Sequence, residues 1–130
     1  MSDPTAAPIA VVADDDGVTR RLLTMLLERQ GFSVLVAEDG QAALQQVRNG
    51  RPRIVFLDAS MPAPDGYEVC RLIRQEAWHP EPTVIMLTAA GQDSDRRRAA
   101  EAGVNEFLTK PFSPSKLAAR LQQLRSESPQ

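Results

Sequence analysis

Five short apolar runs rich in β-branched residues alternate along this chain with five longer, mostly amphipathic stretches, and that alternation constrains the fold more than any other feature. The runs are Ile9–Ala13, Ser33–Ala37, Ile54–Asp58, Thr83–Thr88 and Glu106–Thr109. Their length, their Val and Ile content and the turn residues beside them read as strands rather than buried helix. Strands alternating with helices of about 10–15 residues form βαβ units, whose right-handed crossovers place helices on both faces of a parallel sheet. Such a sheet needs an aliphatic core, and aromatic residues make up 5% of this chain against 42% hydrophobic overall. A length of 130 residues accommodates one α/β domain of this kind and little else.

The helical stretches carry their own start and stop signals. Val18, Leu22, Met25 and Leu26 mark one stripe of a helix reaching Gln30, with Gly31 as its terminator. Asp39 is expected to cap a helix burying Ala43, Leu44 and Val47 and ending near Asn49-Gly50. Asp65 with Glu68 resembles a capping box opening a helix that turns Val69, Leu72 and Ile73 inward. The stretch Asp93–Ala102 is polar, with Arg96-Arg97-Arg98 and chiefly Ala for packing. Ser113 as cap and Pro114 as first residue open the last helix, whose stripe is Leu117, Leu121 and Leu124. The polar ends, 1–8 and 126–130, are expected as a loose leader and tail around one domain at 9–125.

Four of the five runs end in residues that carry chemistry. Asp14-Asp15 follow the first, Asp58 closes the third, Thr88 closes the fourth and Lys110-Pro111 follow the fifth. In a parallel sheet all of these emerge at the carboxyl edge, where open α/β sheets bind their ligands. Adjacent carboxylates at the end of a strand repel each other unless a cation is near, and Mg²⁺ favours a few carboxylates together with waters and phosphate oxygens. Asp16 is assigned to the helix cap instead. Asp58 follows the most apolar run, Ile54–Leu57, where a carboxylate is costly unless paired or metal-bound. Such a carboxylate can serve as a nucleophile toward phosphorus; the plainer alternative is an Asx-turn leading into Met61–Gly66. The Thr88 hydroxyl suits a phosphoryl oxygen, and Lys110 suits an ion pair with the Asp cluster and a phosphate clamp. Lys110-Pro111 is a candidate cis peptide.

Other classes are disfavoured. A net charge of -2 does not suit direct nucleic-acid binding. One cysteine, Cys70, leaves no internal disulfide or multi-Cys zinc site, and one histidine, His79, weakens a His-based metal site or triad. Cys70 reads as a packed residue and His79 as a loop residue. No apolar run approaches the ~20 residues of a membrane span, so a cytoplasmic protein without a membrane partner is expected.

With those residues in place, the chain resembles the receiver domain of two-component response regulators, of the single-domain chemotaxis type. The resemblance covers Ile9 to Leu124 and rests on four segments in order: Ala10-Val11-Val12-Ala13-Asp14-Asp15-Asp16, Leu57-Asp58-Ala59-Ser60-Met61-Pro62-Ala63-Pro64-Asp65-Gly66, Val84-Ile85-Met86-Leu87-Thr88-Ala89 and Phe107-Leu108-Thr109-Lys110-Pro111-Phe112. It implies a (βα)5 flavodoxin-like three-layer sandwich with strand order 2-1-3-4-5. It implies Asp58 as phosphoacceptor, with Asp15, Asp58 and the Ser60 backbone carbonyl as ligands of Mg²⁺ (Mn²⁺ as a substitute) and Asp14 acting through a metal-bound water. Lys110 and Thr88 would bind the phosphoryl group, and Phe107 stands at the family's aromatic switch position. The donor would be a sensor histidine kinase or a histidine phosphotransfer protein. The output would be a downstream protein or effector domain, with a phosphorylation-dependent homodimer as a further partner. The module would catalyse only its own phosphorylation and dephosphorylation. Arg20, Arg21 and Arg96–Arg98 are candidate partner contacts, with a solvated helix face as the plainer reading of the Arg96–Arg98 run. Small residues Ala59, Ser60 and Ala90 would leave water access to the phosphoryl site.

Two other classes compete. A phosphatase with an Asp nucleophile on an α/β sheet calls for a second Asp two residues on, where this chain has Ser60. A constitutive interaction module with a decayed site would lack part of the set, and nothing in the set is missing. No DNA-binding module is expected within these residues, because few follow the last helix.

Overall fold

The computed structural model describes residues 7–77, 80–89 and 96–127, with backbone only at Arg96, Ser126 and Glu127. Five strands alternate with five helices: β1 (Ile9–Ala13), α1 (Gly17–Arg29), β2 (Ser33–Ala37), α2 (Gly40–Gly50), β3 (Ile54–Asp58), α3 (Gly66–Gln75), β4 (Thr83–Ala89), α4 (Arg96–Ala102), β5 (Glu106–Lys110) and α5 (Pro114–Glu127). All strand pairs are parallel, in the order β2-β1-β3-β4-β5. This is the expected flavodoxin-like α/β fold. β4 and β5 each run one residue beyond the expected end.

The sheet separates two cores. Val11, Ala13, Val55, Leu57, Val84 and Met86 face α2, α3 and α4. Ala10, Val12, Ile54, Phe56, Ile85 and Leu87 face α1 and α5. Strand residues alternate between the clusters because successive side chains point to opposite faces. Both faces are covered, so β1 and β3 are apolar almost without interruption.

The helix signals were mostly sound. Asp16, Asp39 and Asp65 each accept from a backbone N–H of the first turn, and Ser113 accepts from Lys116 N. Gly31 terminates α1 at φ +90°, where a Cβ would be strained. The α1 stripe is rotated from the expected one. Leu23, Leu26 and Leu27 are buried, whereas Val18 and Met25 face solvent. Four leucines, Leu22, Leu23, Leu26 and Leu27, leave the sequence pattern ambiguous, and the core shared with the sheet and α5 takes in Leu23 fully. The capping box is half made: Asp65 Oδ1 accepts from Glu68 N at 2.9 Å, but the Glu68 carboxylate pairs with Arg71. Neither reading of Arg98 describes it fully, since it pairs with Asp65 at 2.9 Å and lies over the Tyr67 ring. Pro8, placed in the leader, accepts from Ser33 N, and α5 takes in Ser126 and Glu127, placed in the tail. His79, Ala90 and the start of the Asp93–Ala102 stretch lie outside the described residues. Among the described residues, no helix is long and apolar enough to cross a membrane.

One glycine ties the fold to the carboxyl edge. A Cβ built on Gly66 would sit 2.6 Å from the Asp58 carbonyl oxygen and 2.8 Å from Met86 Sδ. The first turn of α3 therefore rests directly on the backbone of Asp58. Gly66→Ala is expected to lower stability by about 1–3 kcal/mol, the range for overpacking, measured by urea unfolding. Shortening the neighbour in a Gly66→Ala/Met86→Ala double variant cannot relieve the clash with the carbonyl, so it should recover no stability.

Candidate functional site

Sheet order brings the four sequence islands together. β1 and β3 are neighbours, and Asp14 and Asp58 are the residues that follow and close them. On the other side of β3, Asp58 stands in register with Leu87, so Thr88 is the next residue along β4. Thr88 pairs with Thr109, and Lys110 is the residue that follows on β5. Apolar neighbours hold the strand ends in place, which leaves Asp14, Asp58 and Thr88 0%, 2% and 8% exposed.

The charges are unequal. Oxygens of Asp14, Asp15 and Asp58 lie within 4.8 Å of one another. Lys110 Nζ lies 2.7 Å from Asp14 Oδ2 and 3.6 Å from Asp58 Oδ2. Lys110 thus pairs with two of the three clustered carboxylates. Apart from that ion pair, Asp14 Oδ2 meets no hydrogen-bond donor among the described residues, and Asp15 is exposed. An all-oxygen donor set with surplus negative charge fits a hard divalent cation.

The two buried carboxylates are held differently. Burial pushes the Asp14 carboxyl above the usual range, opposed by Lys110 and by the Asp16 N–H, which donates to Oδ1 at 2.9 Å. Burial also pushes Asp58 up, but there the Ser60 backbone N–H and hydroxyl, both 3.0 Å from Oδ1, together with Lys110, hold it below the usual range. Asp58 is therefore the better-stabilised anion of the pair. Burial pulls Lys110 down, but its contacts with Asp14 and Asp58 raise its pKa, keeping it cationic. Asp16 stands apart: the Thr19 hydroxyl and the Val18 N–H hold its carboxylate ionised as the α1 cap, as expected.

All the expected site residues lie at this edge except Phe107, which sits further back along β5 on the same sheet face as Thr88, in register with Met86 and 37% exposed. The Lys110-Pro111 bond is cis, as is Ala63-Pro64, which sequence did not signal. Cys70 is buried, donates to Ala102 O, and has its thiol pushed by burial to about 11, a structural residue as expected. Two site features were missed. One is the double donation from Ser60 to Asp58. The other is Arg20, expected as a partner contact, whose guanidinium donates to the Asp14 backbone carbonyl at 2.6 Å. Its signal was available: an Arg in the first turn of α1 can reach back to the end of β1.

Residues 10–122 match the model of the response regulator receiver domain. The chain is 38% identical over 122 residues to the transcriptional regulatory protein ResD of Bacillus subtilis, covering 94% of this chain and 50% of ResD. It therefore spans about half the length of that curated relative. Among solved structures, the chemotaxis protein CheY4 of Vibrio cholerae superimposes with a TM-score of 0.83 at 26% identity, over 92% of this chain and 99% of CheY4. The receiver domain of the sensor histidine kinase PA1611 from Pseudomonas aeruginosa gives 0.81 at 28% identity, over 94% and 100%, and holds a magnesium ion in its active-site cleft.

Proposed function

Since this chain belongs to the response regulator receiver family, a phosphoacceptor signalling module of two-component systems whose partner is a histidine kinase, we propose that Asp58 is its phosphoacceptor. The observation that carries this is the buried Asp58 carboxylate, held ionised, with two further carboxylates and one lysine around it. Asp15, Asp58 and the Ser60 carbonyl would hold Mg²⁺, or Mn²⁺ in its place, and Asp14 would act through a metal-bound water. When bound, the cation supplies charge neutralisation between the carboxylates and the incoming phosphoryl oxygens.

The chain's own residues do the rest. A carboxylate oxygen of Asp58 attacks phosphorus, forming an O–P bond as the N–P bond of the phosphohistidine breaks. The bonding pair stays on the imidazole nitrogen, which takes up a proton from solvent. Lys110 and the Thr88 hydroxyl bind the phosphoryl oxygens. In dephosphorylation water attacks phosphorus, the aspartyl O–P bond breaks, and Asp58 returns as carboxylate with release of inorganic phosphate. The added charge and acceptor oxygens draw Thr88 inward, and Phe107, half out in solvent, turns into the space behind it. Lacking a hydroxyl, Phe107 is held in that state by packing alone. The surface of α4, β5 and α5 is then a two-state element biased by a local charge event. That surface is the proposed site for a downstream protein, an effector domain or a second copy of the chain, with no direct contact to nucleic acid. A phosphotransfer protein is an alternative donor to the kinase.

The test is intact mass after incubation with acetyl phosphate. With Mg²⁺ the protein should gain one phosphoryl group, and with EDTA none. Equal uptake with and without the cation would refute the metal-assisted reading, and no uptake under either condition would refute phosphoacceptance itself.

A further inference from the structure

The three carboxylates of the site are not equally anchored. Asp14 is fixed by Lys110 and by the Asp16 N–H, and Asp58 by Ser60 and Lys110. Asp15 is exposed, and no side-chain or backbone donor holds its carboxylate among the described residues. Its position is therefore set by the backbone of the β1–α1 turn. On the N–H side that backbone is tied to the sheet, since Asp14 N donates to Ala37 O at 3.2 Å, continuing the β1–β2 pairing. On the carbonyl side the strand has ended, and the bond that would come from a sheet neighbour comes from Arg20 Nη1 at 2.6 Å. The carbonyl of Asp14 belongs to the peptide plane that leads into Asp15, so holding it fixes the direction in which Asp15 leaves the turn.

The arginine is itself well placed for this. Its side chain is 21% exposed, its Nη2 lies 4.0 Å from Glu38 Oε1, and a Cβ on Gly17 would meet Nη2 at an ordinary 3.5 Å. The guanidinium thus lies back across the start of α1, with one nitrogen on the carbonyl and the other toward an acid at the end of β2.

We propose that Arg20 is a positioning residue for the divalent-cation site, holding the Asp14–Asp15 peptide so that the Asp15 carboxylate is aimed into the cleft beside Asp14 and Asp58. This rests on the metal-binding reading above. The alternative to positioning makes an opposite prediction. If Arg20 acted only as a nearby positive charge, removing it would strengthen binding of a cation, because like charges oppose each other. If it positions Asp15, removing it weakens binding, as loss of a residue that orients a metal ligand commonly does.

The experiment is the Mg²⁺ dissociation constant of the full chain by NMR titration, for the wild type and for Arg20→Ala, Arg20→Lys and Arg21→Ala. Thermal unfolding in EDTA accompanies each titration. Arg20→Ala is expected to weaken Mg²⁺ about tenfold, near the low end of the range for such residues. Arg20→Lys, which keeps one donor for the carbonyl, should recover part of the loss. Arg21→Ala removes the same charge from an exposed neighbour and should not weaken binding. Unchanged or tighter binding by Arg20→Ala overturns the proposal while leaving the cation site intact. If Arg20→Ala does not fold, Arg20→Met, which keeps the stem but offers no donor to the Asp14 carbonyl, decides: binding at least as tight as the wild type overturns it. A wild type that binds no Mg²⁺ overturns the metal reading and this inference together.

Discussion

Asp58→Asn should take up no phosphoryl group from acetyl phosphate under conditions in which the wild type gains one. The substitution is nearly isosteric, so the packing of β3 against β1 and β4 is kept. The Ser60 N–H and hydroxyl can still donate to the amide oxygen in place of Oδ1. What is lost is the anion, because a carboxamide is not a nucleophile toward phosphorus at neutral pH. The expected effect is complete loss rather than a partial reduction, since no other carboxylate shares its placement. Asp14 is equally buried but lies against Lys110 with its carboxyl pushed upward, and Asp15 is exposed. Intact mass followed by peptide mapping checks this. Phosphoryl uptake retained in Asp58→Asn and mapped to Asp14 or Asp15 would reassign the phosphoacceptor. Folding is verified by urea unfolding, where the variant should still unfold cooperatively but be somewhat less stable than the wild type at neutral pH, because a carboxyl held below its usual range by Ser60 and Lys110 stabilises the folded state as an anion.

The sequence made the sheet legible because each buried strand is a continuous apolar run, and the site legible because each of those runs stops at a polar residue. Ile54-Val55-Phe56-Leu57-Asp58 shows both at once: four residues that require burial on two faces, then a carboxylate with no reason to be there unless something binds it. Side-chain contacts that cross between elements were harder to read than local caps. Asp16, Asp39, Asp65 and Ser113 announced themselves as caps because capping depends on local spacing. Arg20 on Asp14 O, and Arg98 shared between Asp65 and Tyr67, depend on how an element packs, which composition does not encode. The α1 stripe illustrates the limit of periodicity. Leu22, Leu23, Leu26 and Leu27 offer two overlapping faces, and only the packing of α1 on the sheet and its neighbours decides that Leu23 is buried while Met25 is not. Gly66 shows the same limit from the other side: its turn position was evident, but its contact with the Asp58 carbonyl arises from the meeting of β3 and α3.

Lys110→Met should separate the electrostatics of the site from its chemistry. Methionine keeps most of the lysine stem and removes the charge, so the packing at the end of β5 changes little. Asp14 and Asp58 then face each other without the cation that lies 2.7 and 3.6 Å from them. Removing one partner of a buried ion pair costs several kcal/mol; with Lys110 28% exposed and partly screened by solvent, about 1–3 kcal/mol is expected at neutral pH. The pH dependence gives the sign. Burial already raises the Asp14 carboxyl above its value of 3.8, and loss of Lys110 raises it further. An acid whose folded pKa lies above its unfolded one loses stability as pH rises through that interval and regains it on acidification. In EDTA, the deficit of Lys110→Met relative to wild type should therefore be greatest near neutral pH and should shrink as pH falls toward the Asp14 pKa. Asp58 gives the opposite slope in the wild type, where Ser60 and Lys110 hold its carboxyl low, and loss of Lys110 weakens that slope. Mg²⁺ should stabilise Lys110→Met more than the wild type, because the cation then meets carboxylates with no ammonium competing for them, and tighter binding to the folded state raises its stability. Uptake from acetyl phosphate should nevertheless fall, since the phosphoryl oxygens lose their clamp. Urea unfolding across pH, with and without Mg²⁺, checks the first part, and intact mass the second. A variant that matches the wild type in stability at every pH would mean that solvent, not Lys110, balances the buried carboxylates.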